Sequence, residues 1–233
     1  MKKNVFVKMI FLLAIVSQSC VAPVNSLFDN ASMLEKGASK IQGNVSHYRG
    51  AGKDFEKKWI DEGSNTNIGL AYAYGLSKKV NLAARYEFLN GRTYEDNSFG
   101  ANESYKSIGH YFSASARIRI KDKNMSVLIP VEFYFLSAAD ESAGIQTVSP
   151  QFIYTHEIIS SKLDVTIAPK IVIPLNESFT ENDYIPYTGL NIGLGLGKDL
   201  SKYSLRPELG ILFNPQNMTG FNYNFGVGFT AKL

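Results

Sequence analysis

The chain has 233 residues, 45% hydrophobic and 19% charged, with a formal net charge of +3. That length admits one domain or one medium barrel, and a single cysteine excludes an intrachain disulfide. Residues 1–19 hold three lysines and no acid, so the remainder is formally neutral and its charge points to neither nucleic acid nor acidic partners.

Residues 1–19 read as a secretory signal peptide. Lys2, Lys3 and Lys8 supply the positive start, residues 9–16 the apolar stretch, and Ser17 and Ser19 the small residues before a cut ahead of Cys20. The apolar run is shorter than the roughly 20 residues a spanning helix needs. Two readings of Cys20 stand. Lipid attachment explains a lone thiol in an oxidising compartment; an unmodified cysteine fits Ser17 and Gln18, which depart from a lipobox. Residues 20–37 are expected as an N-terminal periplasmic segment, lipid-anchored on the first reading, and residues 38–233 as the membrane domain.

After the signal no run is long and apolar enough for a transmembrane helix, and what recurs is period two. A weak first strand covers about 38–48. Ile68, Leu70, Tyr72 and Tyr74 then alternate with Asn67, Gly69 and Ala73; Val80, Leu82, Ala84, Tyr86 and Phe88 with Asn81, Arg85 and Glu87; Ile108, Phe112, Ala114 and Ile118 with Gly109, Ser113, Arg117 and Arg119. Val127, Ile129, Val131, Phe133 and Phe135 oppose Glu132 and Tyr134; Val148, Phe152 and Tyr154 oppose Thr147, Ser149 and Gln151; Leu163, Val165, Ile167 and Ile171 oppose Asp164, Thr166 and Lys170. Leu190, Ile192 and Leu194 alternate with Gly189, Asn191 and Gly193; Leu205, Leu209 and Ile211 with Arg206 and Glu208; and Phe221 to Leu233 is apolar at every odd position. These ten segments predict an all-β protein: a transmembrane antiparallel up-and-down β-barrel of about ten strands.

Three features separate a barrel from a soluble sandwich. The segments run about 9–13 residues, the length of a tilted membrane-crossing strand. The polar faces place Arg85, Glu87, Arg117, Arg119, Glu132, Lys170, Arg206 and Glu208 at mid-strand, where a closed lumen would pair them with one another. Connections alternate between short (75–79, 121–124, 157–162, 198–202) and long (50–64, 91–106, 137–145, 175–187, 214–220), the pattern of periplasmic turns and extracellular loops, which puts both termini in the periplasm. Outward aromatics also sort by height. Tyr86, Phe88, Phe133, Phe135, Phe213, Phe221 and Tyr223 lie near the long-loop ends, and Tyr72, Tyr74, Tyr154, Tyr203 and Phe229 near the short-turn ends.

Cys20, Pro23, Val24, Asn25, Ser26, Phe28, Ala31, Leu34, Lys36 and Gly37, followed by Gly43, Ser46, His47 and Tyr48, resemble the start of small porin-like outer-membrane β-barrel proteins of Bacteroidetes-type bacteria. The resemblance covers about thirty residues, implies an outer-membrane and lipoprotein-like barrel, and implies no catalytic residue.

No enzyme and no cofactor are expected. His47 lacks an Asp pair, Ser46 beside it faces the other way, His110 lies on the apolar face, and His156 sits at a short turn. Asp140–Glu141 and Glu181–Asp183 are weak cation candidates. The luminal charges read as plug partners or as the lining of an ion-selective pore, with Gly189, Gly193, Gly195, Gly197, Gly226 and Gly228 leaving room that Arg206 and Glu208 lean into. Pro130, Pro150 and Pro169 lie near mid-height on consecutive strands; they are separate kinks or a lateral gate for an apolar solute. The expectation is a monomeric bacterial outer-membrane barrel with a structural or surface-loop binding role. Its partners are membrane lipid, the barrel-assembly machinery during biogenesis, and a surface ligand or small hydrophobic solute, with no nucleic acid. The alternative is transport of small solutes through the barrel or sideways out of it.

Overall fold

The structure, a computed structural model, describes residues 24–53, 59–96, 102–120, 122–138, 141–175, 187–213 and 220–233. Its strands are β1 (Ser39–Lys53), β2 (Trp59–Ser77), β3 (Val80–Asp96), β4 (Asn102–Arg119), β5 (Met125–Ala138), β6 (Glu141–Val148), β7 (Gln151–Ile159), β8 (Leu163–Pro174), β9 (Tyr187–Leu196), β10 (Tyr203–Phe213) and β11 (Gly220–Lys232). Neighbours in sequence pair antiparallel, and β1 pairs with β11 to close the ring. β6 and β7 share β5 and β8 as partners and keep the same register across the break between them, so they are two halves of a single crossing, interrupted at Ser149 and Pro150. The result is the up-and-down barrel of ten crossings that the alternation predicts.

Burial is inverted relative to a soluble protein. Ile68 and Leu70 are each 58% exposed, whereas Glu87 is 0% and Arg206 2% exposed. An exterior this rich in exposed apolar side chains is stable against lipid, and the closed ring leaves no free edge strand there. Outward aromatics meet near the long-connection end, as in Tyr86–Phe112 (4.9 Å between centroids) and Phe112–Phe135 (6.2 Å).

At that same end the ladders extend past the predicted limits. β3 and β4 pair as far as Asp96 with Asn102, where residues 91–106 were expected as a loop. β1 and β2 pair from Lys53 to Trp59, with an irregularity between Gly50 and Ala51. β5 and β6 pair as far as Ala138 with Glu141, where residues 137–145 were expected as a loop. Main-chain pairing continues whatever the side chains, whereas alternation marks only the part facing lipid.

The larger departure concerns residues 20–37. Their described part, from Val24 onward, is not outside the barrel but turns into it. At the short-turn end the Gly37 N–H donates to the Gly75 carbonyl and the Gly75 N–H to the Ala38 carbonyl. Gly37 has a φ of 86°, a left-handed turn that glycine accepts without strain. A Cβ at Gly75 would run into the Glu35 carbonyl. The chain then passes through the lumen to Val24, which packs with Tyr48, Leu89, Tyr111, Tyr134 and Leu136. Leu89 and Leu136 both lie level with Gly109, towards the long connections. Leu233 ends at the short turns beside Ser39.

Candidate functional site

The lumen is organised around residues 24–31, and the wall grips their main chain. The Val24 N–H donates to the Tyr134 hydroxyl (3.1 Å), and its carbonyl accepts from Lys170 Nζ (2.7 Å). The Asn25 carbonyl accepts from Asn191 Nδ2, and its side chain donates to Asn224 Oδ1 (3.0 Å). The Ser26 N–H donates to the Tyr48 hydroxyl (3.1 Å), while Arg85 donates to the Ser26 carbonyl and hydroxyl (both 2.7 Å). The Leu27 and Phe28 N–H groups each donate to Glu208 at 2.7 Å. Phe28 has a φ of 51°, and the turn aims two successive N–H groups at one carboxylate, a concavity suited to an anion. Asp29 pairs with Lys40 (2.6 Å) and Arg117 (2.5 Å), Arg117 also donates to the Asn30 carbonyl (2.6 Å), and the Ala31 N–H donates to Thr155 Oγ1 (2.9 Å).

The room left by small residues is filled. A Cβ at Gly228 would lie 2.5 Å from Phe28 Cβ, and one at Gly226 2.7 Å from Phe28 Cζ. Asn25 Oδ1 comes within 2.9 Å of the corresponding point at Gly189. Arg206 and Glu208 lie over Gly195 and Gly193, while Gly197 meets the Tyr203 carbonyl and Leu200.

Mutual pairing among the predicted luminal charges is corrected by this arrangement. Arg85 with Glu87 is a pair within the predicted set. Arg117, Lys170 and Glu208 engage the inserted segment instead. Arg206 forms a two-pronged pair with Asp164 (2.9 and 2.6 Å). Glu132 accepts from Tyr111 (3.0 Å), Thr147 (2.5 Å) and Ser149. Arg119 is half-buried, and its Nε has no partner among the described residues. Asp29, Lys40, Asp164 and the three inward tyrosines were missed as site residues. The predicted set holds five basic and three acidic side chains. Adding Lys40 and Asp164 makes six against four, and that imbalance was the available sign that a further acid enters from elsewhere.

Pro130, Pro150 and Pro169 meet around the break between β6 and β7. The Ser149 N–H donates to the Pro130 carbonyl (3.2 Å), and the Ile171 N–H to the Pro150 carbonyl (3.1 Å). Neither proline returns a donor. By antiparallel alternation Pro169 faces Phe152 in the next bonded pair, and β7–β8 pairing lapses between Gln151–Lys170 and Tyr154–Ile167. All three missing donors therefore bracket residues 149–152. Inside this patch lies a cavity of about 70 Å³ lined by Pro130, Ser149, Gln151, Arg85, Arg117, Lys170 and the inserted Ser26, Leu27 and Asp29. That is space for roughly two waters, far below the size of a solute site of ~300 Å³.

His47 points outward, with Nδ1 3.2 Å from Thr66 Oγ1 and its ring against Phe225 (5.4 Å), while Ser46 is buried in the lumen. His110 faces outward against Tyr86, and His156 is exposed. Among the described residues no group of His, Cys, Asp or Glu is placed to hold a metal. Cys20, Asp140 and residues 181–183 lie outside the described residues.

No family model matches the chain, and no curated protein matches it. Among solved structures it is similar to the translocator domain of autotransporter NalP from Neisseria meningitidis, at 9% identity over 83% of this chain and 88% of that one, with a TM-score of 0.50. It also matches the transport unit of autotransporter AIDA-I from Escherichia coli, at 7% identity over 95% and 96% of the two chains with a TM-score of 0.48. Neisserial surface protein A matches at 10% identity over 85% and 100%, with a TM-score of 0.39. These neighbours lend no support to the Bacteroidetes-type origin implied by residues 20–48. The NalP likeness, added to the closed ring and the inverted burial, shows the fold alone: this chain is a β-barrel of the outer-membrane type.

Proposed function

We propose that the chain is a bacterial outer-membrane barrel, with its short turns in the periplasm, held shut by its own residues 24–34. Its role is structural or lies in the connections it displays, not in diffusion through its lumen. The observation that carries this reading is the grip of wall side chains on the main chain of residues 24–31, beside which lies a cavity of only about 70 Å³. Apolar side chains cover the outside, so membrane lipid is the exterior partner. The protein should therefore fractionate with the outer membrane and migrate heat-modifiably on a gel. Reconstituted in planar bilayers, the full chain should show negligible conductance; stable nanosiemens-scale openings would mark it as a porin. Arg117→Glu separates the two cases. It lowers thermal stability if Arg117 secures Asp29, and it changes ion selectivity at unchanged stability if Arg117 lines an open path.

The proline cluster favours a second reading, lateral passage of a small solute where three donors are missing from one patch of wall. The adjoining cavity is lined by Arg85, Arg117 and Lys170 together with Val24, Leu27, Leu128 and Pro130, so the space behind that patch offers both polar and apolar contacts.

A further inference from the structure

The inserted segment is held as a ligand is held. Among the described residues, its main-chain hydrogen bonds to the wall occur at Gly37, Ala38 and Gly75, at the barrel's entrance. Deeper in the lumen the wall uses side chains. Lys170 and Arg85 take the carbonyls of Val24 and Ser26, and Glu208 takes the N–H groups of Leu27 and Phe28. These are groups that every peptide possesses. The barrel's own ladder closes independently of them, through β1 and β11.

Selectivity enters at two adjacent positions. Phe28 is 0% exposed and sits where Gly226 and Gly228 lack side chains. Asp29 lies between Lys40 and Arg117. The wall's excess of basic side chains also favours an acidic guest. From this geometry we propose that the lumen is a binding site for a peptide that turns at an aromatic residue followed by an acid, and that residues 24–34 are its exchangeable occupant in cis. The inference rests on the plugged-lumen reading, but its readout is peptide retention, which is independent of conductance.

The test places a protease recognition sequence at Glu35–Lys36, both exposed, in the full chain. The folded protein is cut in detergent micelles and passed through gel filtration. The released N-terminal fragment should travel with the barrel, and excess fluorescent peptide of sequence 24–36 should replace it. A Phe28→Ala peptide should compete about tenfold less well or worse, in line with losing at least ~1.4 kcal/mol of burial, and a scrambled peptide should not compete. Loss of the fragment with no rebinding would show that only the covalent tether holds the segment, and would overturn the proposal. So would a retained fragment that never exchanges, or a scrambled peptide that exchanges equally well. If the insertion blocks folding, the uncut Phe28→Ala chain should take up labelled peptide that the unaltered chain excludes; no uptake there overturns the proposal as well.

Discussion

The two sides of this barrel make interior space in opposite ways. On the β9–β11 side glycines at 189, 193, 195, 226 and 228 remove side chains but keep their N–H groups. β10 and β11 accordingly pair at every position from Tyr203 to Phe213, and β11 with β1 from Lys40 to Gly52. On the β5–β8 side Pro130, Pro150 and Pro169 keep their side chains but lack N–H groups, and the ladder lapses around Ser149 to Ile153. Space on the glycine side is taken by Phe28 and Asn25, while the proline side retains the cavity. Glycine thus yields a tight seat beside the fully paired β10–β11 and β11–β1 ladders, and proline a loosened wall beside unfilled volume. Pro207 interrupts β9–β10 pairing in the same manner, but singly.

The sharpest way to break the glycine side is Arg206→Ala. Arg206 and Asp164 each have side chains only 3% exposed, and removing one partner strands a buried charge, a loss of about 3–5 kcal/mol. Urea or heat unfolding followed by gel mobility would measure it. Arg119→Ala should change stability far less, and equal losses for the two would mean that the Arg206–Asp164 pair is not special.

A smaller effect is expected from Gly228→Ala. The three atoms nearest its Cβ all belong to Phe28, so the substitution overpacks the plug and leaves the ladder untouched. The loss should be about 1–3 kcal/mol, and it should shrink when Phe28→Ala is already present. Additive losses in that double-mutant cycle would show that Phe28 does not occupy the seat.

The smallest effect per site should come from replacing Pro130, Pro150 and Pro169 with Val. Each restored donor contributes about 0.5–1.5 kcal/mol, so thermal stability rises and amide exchange around residues 149–152 slows. Solute uptake that falls alongside would favour the lateral-passage reading; uptake at the original rate would remove it.

Much of the barrel was legible because strand geometry is local. Successive side chains leave on opposite faces, so period two in residues 221–233 assigns lipid and lumen faces with no knowledge of partners. The same rule placed Arg85, Glu87, Lys170 and Glu208 inward and set Pro130, Pro150 and Pro169 on neighbouring crossings. The extra ladder length at the long-connection end was not legible, because main-chain pairing there continues without the alternation that marks a lipid-facing strand.

What only the tertiary structure decided is who fills the lumen. Residues 24–34 have no periodicity, and they contact groups far away in sequence: Asn25 meets Asn224 across 199 positions, and Phe28 meets Glu208 across 180. Side chains gripping a main chain leave no repeating signature in either partner, since any residue can present a carbonyl or an N–H. The sequence by itself determined a closed wall with an apolar outside and a charged inside. Folding determined that the chain's own leading segment turns at Gly37 and satisfies those charges, because an acid and a run of backbone dipoles were the nearest groups able to do so.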